Sequence, residues 1–228
     1  MRLLIPSASP LSEPDLLDLY ADRNPGLRAG FVLSVDGASV VGGTSRGLQT
    51  PADQAAFFAL RAVSDAVLIG AETARREGYR AVGLRADGLA WRRAHGLPER
   101  PRLVVVSRSQ SLDGVGTPDR IVVTSGVART SGEVILAGED EVDLGSAVEA
   151  LGGQGLRHLL CEGGPGLLGG LLRAGLVDEL CLTSSPVLVG AADGLLRASL
   201  PAPVGLTMQH LVDGGDGTLL ARYGVAGS

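Results

Sequence analysis

Apolar residues recur along this chain in two patterns. Short continuous runs bounded by Gly, Pro or Asp predict buried strands at 31–34 (FVLS), 65–70 (DAVLIG), 102–107 (RLVVVS), 120–124 (RIVVT), 133–137 (EVILA), 157–162 (RHLLCE) and 178–186 (DELCLTSSP). Amphipathic stretches between them predict helices. Ser12 with Asp15 three residues on reads as a capping box and places Leu16, Leu19 and Tyr20 on one face, until Asn24-Pro25-Gly26 ends the helix. Thr50 is a predicted N-cap, with Pro51 in the first position of a helix reaching Ala62. Residues 72–77, 145–151 and 164–175 are further helices, and a short one, Leu89 to His95, interrupts the otherwise loop-like 78–100. A loop of that length predicts the border of a site or an interface. Residues 205–214 and 217–225 flank a Gly-Gly-Asp-Gly turn and predict a closing antiparallel hairpin. Strands alternating with helices predict an α/β fold: a mostly parallel central sheet, helices on both faces, and the C-terminal hairpin as an antiparallel edge.

Length and composition narrow this picture. The 228 residues fit one domain, 1–228, with 1–27 as an N-terminal helical extension. Aromatics are only 3%, so the core is built from Leu, Val and Ala. Net charge is −5 and the basic residues are scattered, which leaves no nucleic-acid footprint. Cys161 and Cys181 lie inside apolar runs with no CxxC or Cys/His cluster, so neither a metal site nor a disulfide framework is expected. The apolar run before Pro6 is too short for a signal peptide, and no stretch has the length of a membrane span; a cytoplasmic protein is expected.

Candidate chemistry gathers where predicted strands end. The turn Glu162-Gly163-Gly164-Pro165-Gly166 follows a buried strand and opens a helix. Unpaired N–H groups and the helix dipole suit a phosphate there, and glycines allow its close approach. Residues 164–169 also spell GxGxxG. A Rossmann site needs an acid at the end of the next strand, however, and Asp178 and Glu179 stand at the beginning of it, toward the opposite edge of the sheet. A second junction, Gly70-Ala71-Glu72-Thr73, can hold the same dinucleotide from another side. Ser107 and Arg108 suit a 2′-phosphate, and Thr124-Ser125 an adenine ribose. Acid–base candidates are Asp36, which follows the first long strand and either caps the Asp36-Gly37 turn or enters the site, and Glu77, one helical turn beyond Thr73 on the same face. Glu162 joins them at a strand end, whereas His95, His158 and His210 all lie away from such ends. No Ser-His-Asp set or nucleophile elbow points to a hydrolase.

Four blocks occur in an order that resembles the reductase domain of riboflavin biosynthesis, a pyrimidine reductase family: SVDG (34–37), Gly43-Thr44-Ser45, LRAVSDAVLIGAET (60–73) and CEGGPGLLGGLLRAGLVDELCLTSSPVLVG (161–190). The similarity is to stand-alone, single-domain members and covers roughly residues 28–225. It implies a dihydrofolate-reductase-like fold, NADPH as cofactor and a homodimer. It puts Thr73 and Glu77 on the nicotinamide side, Ser107 at the 2′-phosphate end, and the run from Gly164 through Leu167 to Gly170 on the pyrophosphate. Ser45, Arg61 and Glu162 fall on the substrate side. The implied reaction is hydride transfer to the ribose carbonyl carbon of a 5-amino-6-(5-phosphoribosylamino)uracil-like substrate. The chain departs from the family at Gly30, where a Lys stands, with Arg28 nearby, and at Glu77, where an Asp stands. Arg80 and Arg85 are candidates for the substrate phosphate. Two further readings stay open: a reductase of a pterin or other small carbonyl or imine, and a non-catalytic nucleotide-binding module.

Overall fold

The computed structural model describes residues 1–5, 9–22, 24–108, 112, 115, 119–127, 132–190 and 193–227. In chain order its elements are β1 (Arg2–Ile5), β2 (Ser9–Pro10), α1 (Glu13–Tyr20), β3 (Gly26–Ser34), a 3-10 turn (Ser45–Leu48), α2 (Pro51–Val63), β4 (Ala66–Gly70), α3 (Ala71–Glu77), α4 (Ala86–Ala94), β5 (Arg102–Val106), β6 (Ile121–Thr124), β7 (Glu133–Leu136), α5 (Leu144–Gly153), β8 (His158–Gly163), α6 (Pro165–Arg173), β9 (Glu179–Ser185), β10 (Leu206–Asp213) and β11 (Leu219–Val225). The caps read from the sequence are present. The Ser12 hydroxyl oxygen accepts from Asp15 N while the Asp15 carboxylate accepts from Ser12 N, and Thr50 accepts from Asp53 N.

Among the described residues, eleven strands form one sheet in the order β2-β1-β10-β11-β9-β3-β8-β4-β5-β6-β7. From β9 to β7 every neighbouring pair is parallel; from β9 outward through β11, β10, β1 and β2 every pair is antiparallel. Alternate residues of the central strands feed two separate cores, because successive side chains leave opposite faces of a strand. Val67 and Ile69 of β4 pack with α1 and α2, through Leu16, Ala59 and Leu60. Ala66 and Leu68 pack on the other face with α5 and α6, through Leu151, Leu168 and Leu171. Helices therefore cover both faces, as the alternating pattern predicts.

The N-terminal segment corrects the expectation of a purely helical extension. Arg2–Ile5 is a strand that pairs antiparallel with β10, Leu3 opposite Val212. The four-residue run has too little of its own to fix a strand; the open edge of the closing hairpin supplies its partner. The strand expected at 31–34 begins earlier, at Gly26, because Leu27 and Ala29 are buried between β8 and β9. The helix expected at 89–95 spans Ala86–Ala94 and is fastened by fully buried Arg92, which donates to the carbonyls of Ala62, Ser64 and Pro98.

Candidate active site

The parallel strands β3, β4, β8 and β9 all end on one edge of the sheet, at Ser34, Gly70, Gly163 and Ser185. That edge carries two adjoining concavities. One is a cavity of about 290 Å³ floored by β3 and β9 and walled by α2 and α3. The other is a more open groove of about 510 Å³ running across the starts of α3 and α6 to the ends of β5 and the loop at 141–144. Thr73, Gly164 and Pro165 line both, so the two meet there.

The groove has the character of an anion site. Gly70 and Gly164 are the N-caps of α3 and α6, and neither helix start has a side-chain cap. The free N–H groups thus open on the groove. Gly70 and Gly164 are in contact range: a Cβ on Gly70 would lie 3.9 Å from Gly164 N. Thr73 closes over Gly164 so tightly that a Cβ there would be 2.1 Å from Thr73 Oγ1. Gly166 faces open space, with nothing within 4 Å of a Cβ placed on it. Ser107, Arg108, Leu167 and Arg197 also line the groove. Arg108 Nη1 reaches Glu141 at 3.4 Å and Arg197 Nη2 reaches Glu72 at 3.0 Å, both pairs exposed. Such pairs contribute little, so the guanidinium groups can exchange their partners for a phosphate.

The cavity has a different lining. Arg61 on α2 meets Glu162 at the end of β8 in a bidentate pair, Nε to Oε1 at 2.6 Å and Nη2 to Oε2 at 2.8 Å. Tyr79 donates its hydroxyl to Glu162 Oε2, and Arg61 Nη2 donates to the Tyr79 hydroxyl. Arg61 also donates to Gly83 O and lies 4.1 Å from the centroid of the Phe57 ring. Burial alone would weaken the Arg61 cation, but Glu162 more than compensates and holds its pKa above the ordinary value. Burial, and then Glu162, push the Tyr79 hydroxyl well up. Tyr79 and Gly83 belong to the segment 78–100, which does border the site. Glu77 accepts from Ser45 N through Oε1 at 2.9 Å, tying α3 to the 3-10 turn. Arg46 and Arg76 stand exposed at the cavity mouth. Deep inside, Asp53 is 6% exposed and interacts with the Thr183 hydroxyl on β9.

Most residues singled out from the sequence come together here. Gly70, Thr73, Ser107, Arg108, Gly164, Pro165, Gly166 and Leu167 line the groove; Ser45, Arg61, Glu77, Glu162 and Gly163 line the cavity. Glu77 and Gly163, expected on the cofactor, therefore sit on the cavity side of the junction. Asp36 is the clear correction. Its carboxylate accepts from Ser34 Oγ at 2.6 Å, Val189 N at 3.1 Å and Gly190 N at 2.6 Å, and it lines neither concavity. Those hydrogen bonds, Ser34 first, hold its pKa down at about 2, which suits a loop clamp and not a proton donor. Thr124 is fully buried and Ser125 donates to Asp140 O, so neither reaches the groove. Arg85 lies over the Phe58 ring, and the cations that do line the cavity are Arg46, Arg61 and Arg76. Arg28 is committed to Asp22, Glu179 and Tyr20 O, leaving Gly30 to shape the floor without a charge. Asp178 and Glu179 pair with Leu27 N, Arg28 and Arg222 at the far edge of the sheet. The histidines lie elsewhere: His158 against Asp65, His95 stacked on Trp91, and His210 against Tyr20.

The sequence reading missed Asp53, Phe57, Tyr79 and Thr183. Asp53 carried a usable signal. It sits with Ala56, Phe57 and Leu60 at the i, i+3, i+4, i+7 spacing of one helix face, an acid on an apolar stripe.

A family model for the RibD C-terminal domain matches residues 25–220. Over 95 residues the chain is 36% identical to the 2,5-diamino-6-ribosylamino-4(3H)-pyrimidinone 5′-phosphate reductase of Methanothermobacter thermautotrophicus; the match covers 42% of this chain and only 39% of that protein. It is 28% identical over 151 residues to the enzyme of the same name from Archaeoglobus fulgidus, covering 59% of this chain and 67% of that protein. The fold is similar to that of a pyrimidine reductase-like protein from Corynebacterium diphtheriae, with a TM-score of 0.81, 25% identity, and coverage of 96% of this chain and 100% of that one.

Proposed function

Because the chain belongs to the RibD C-terminal domain family, we propose that it is an NADPH-dependent reductase of a ribosylaminopyrimidine 5′-phosphate. The observation that carries this reading is the junction at Thr73, Gly164 and Pro165, where a groove suited to a dinucleotide opens into a separate cavity suited to a second reactant. The groove fits the cofactor on its own geometry. The start of α6 and the bare Gly166 receive the pyrophosphate, and Ser107 with Arg108 stands at the far end for the 2′-phosphate. When bound, the reduced nicotinamide supplies a hydride to the C1 carbon of the opened ribose, leaving a ribityl chain.

The chain's own residues position the partner. Arg46 and Arg76 at the mouth receive its phosphate, and Phe57 with the apolar floor receives its ring. The Arg61–Glu162–Tyr79 set is a rigid wall, its charges already neutralised against each other. Glu77 orders the Ser45 turn and is the acid–base candidate, one helical turn from Thr73. The homodimer implied by the family resemblance and the cytoplasmic location expected from the sequence belong to the same proposal; among the described residues no helix is long and apolar enough to cross a membrane.

Titrating the purified chain with NADPH and NADH while following nicotinamide fluorescence tests the cofactor. Tighter binding of NADPH is expected, and no binding at millimolar cofactor would sink the proposal. NADPH oxidation is then followed with ribosylaminopyrimidine phosphates and with dihydrofolate. Turnover of dihydrofolate alone would overturn the substrate assignment.

A further inference from the structure

The α2 wall of the cavity holds a carboxyl group that neither the cofactor site nor the Arg61–Glu162 pair uses. Asp53 occupies the third position of α2, where an acid ordinarily reaches back to the helix N-cap. Here Thr50 receives the Asp53 N–H, and the Asp53 side chain is turned inward instead, 6% exposed. It lines the cavity together with Ala56, Phe57 and Leu60 of its own helix and Gly30 and Thr183 of the sheet. The influences on it are burial and a hydrogen bond from Thr183; no cation among the described residues pairs with it. Burial, opposed by Thr183, pushes its pKa up to about 6. A desolvated carboxylate without a cation is an acceptor seeking N–H donors.

Position decides which part of a ligand it meets. Thr183 lies on β9, separated from Gly163 on β8 by β3 alone. Two strand spacings put the Asp53–Thr183 pair about 10 Å across the sheet from the cofactor junction. A substrate whose sugar carbon lies at the junction therefore presents the far edge of its ring to Asp53, while Arg46 and Arg76, the cations not committed to Glu162, stand at the mouth for the phosphate.

We propose that Asp53 is a specificity-determining residue that reads this far edge, accepting from a ring N–H and an adjacent exocyclic 2-amino group, and so selects a 2-amino-4-oxopyrimidine over its 2-oxo, uracil-type counterpart. The inference rests on the reductase reading of the cavity. The 2-amino form offers two adjacent donors to the two carboxylate oxygens. The uracil form offers one donor beside a carbonyl oxygen, which would face the second carboxylate oxygen at a buried position. Thr183 keeps the carboxylate in place by donating to it.

The test is steady-state kinetics of the full chain with NADPH on both ring types, 2,5-diamino-6-ribosylamino-4(3H)-pyrimidinone 5′-phosphate and 5-amino-6-ribosylaminouracil 5′-phosphate. The wild type is expected to favour the diamino substrate in kcat/KM by about 10- to 100-fold, the range of a charge-assisted hydrogen bond. Asp53→Asn, which offers one acceptor and one donor, is expected to raise KM for the diamino substrate and to shift the preference toward the uracil form. Thr183→Val is expected to weaken the preference without inverting it. NADPH affinity of both variants, read by nicotinamide fluorescence, is expected to match the wild type and shows that the fold is intact. Equal use of both substrates by the wild type, or an unchanged ratio in Asp53→Asn, overturns the inference and leaves the reductase reading standing. Turnover of neither substrate by an NADPH-binding wild type overturns the reductase reading and the inference with it.

Discussion

Glu162 keeps only 1% of its side chain exposed and divides its carboxylate between Arg61 and Tyr79. Its position at a strand end was legible from the order of apolar and glycine residues. Its partner was not, because Arg61 lies on α2, far away in sequence, and the two meet only when β8 is laid beside β3 under that helix. The consequence is energetic. Removing one member of a buried ion pair strands the other without water. Arg61→Met is therefore expected to destabilise the chain by about 3–5 kcal/mol, and Glu162→Gln by less, because the amide still accepts from Arg61. Urea denaturation of the two variants checks this, and equal losses would contradict the ordering. Asp36 teaches the converse. In sequence the carboxylate of the Asp36-Gly37 turn could either cap that turn or enter the site; three hydrogen bonds from Ser34 and the loop at 189–190 make it a clamp.

At the scale of elements, the start of α6 joins sequence to the proposed cofactor site most directly. The Gly-Gly-Pro-Gly run was readable as a strand-to-helix turn with exposed N–H groups, and it is one. What was not readable is that α3 begins beside it, with Thr73 lying over Gly164. Gly164→Ala is expected to force Thr73 aside, since its Cβ would lie 2.1 Å from Thr73 Oγ1. An overpacking cost of this kind is about 1–3 kcal/mol; falling on the cofactor junction, it should lower NADPH affinity by about 5- to 150-fold. The double variant Gly164→Ala, Thr73→Ser should recover little, because the hydroxyl oxygen that clashes is retained, whereas Thr73→Ala in the same background should recover part of it. Fluorescence titration of the three proteins decides between these outcomes. β1 shows the limit of local signals from the other side: four residues before a proline become a strand only because β10 leaves an edge open to them.

For the molecule as a whole, two buried groups set opposing dependences of stability on pH. Asp53 has a folded pKa near 6, above its ordinary value of 3.8, so folding takes up a proton between these values. Its contribution therefore falls as pH rises through that window. His210, buried and beside Arg222, is pushed down to about 4 from 6.5, so its contribution falls as pH drops through that range. In the wild type the two slopes offset each other between about pH 4 and 6. Asp53→Asn removes the first, so its Tm is expected to climb more steeply from pH 4 to 7 than the wild type's, ending higher by at most roughly 3 kcal/mol of stability. Parallel Tm profiles would refute this. By itself the sequence determined the alternation of strand and helix, the caps, the two glycine turns and the family, because each is written in neighbouring residues or in ordered blocks. The tertiary structure alone decided that the groove and the cavity share Thr73 and Gly164, that Arg61 faces Glu162, and that Asp53 is buried at the cavity wall. Those relations depend on which strands lie side by side, and sheet order is set by the packing of two cores rather than by any stretch of chain.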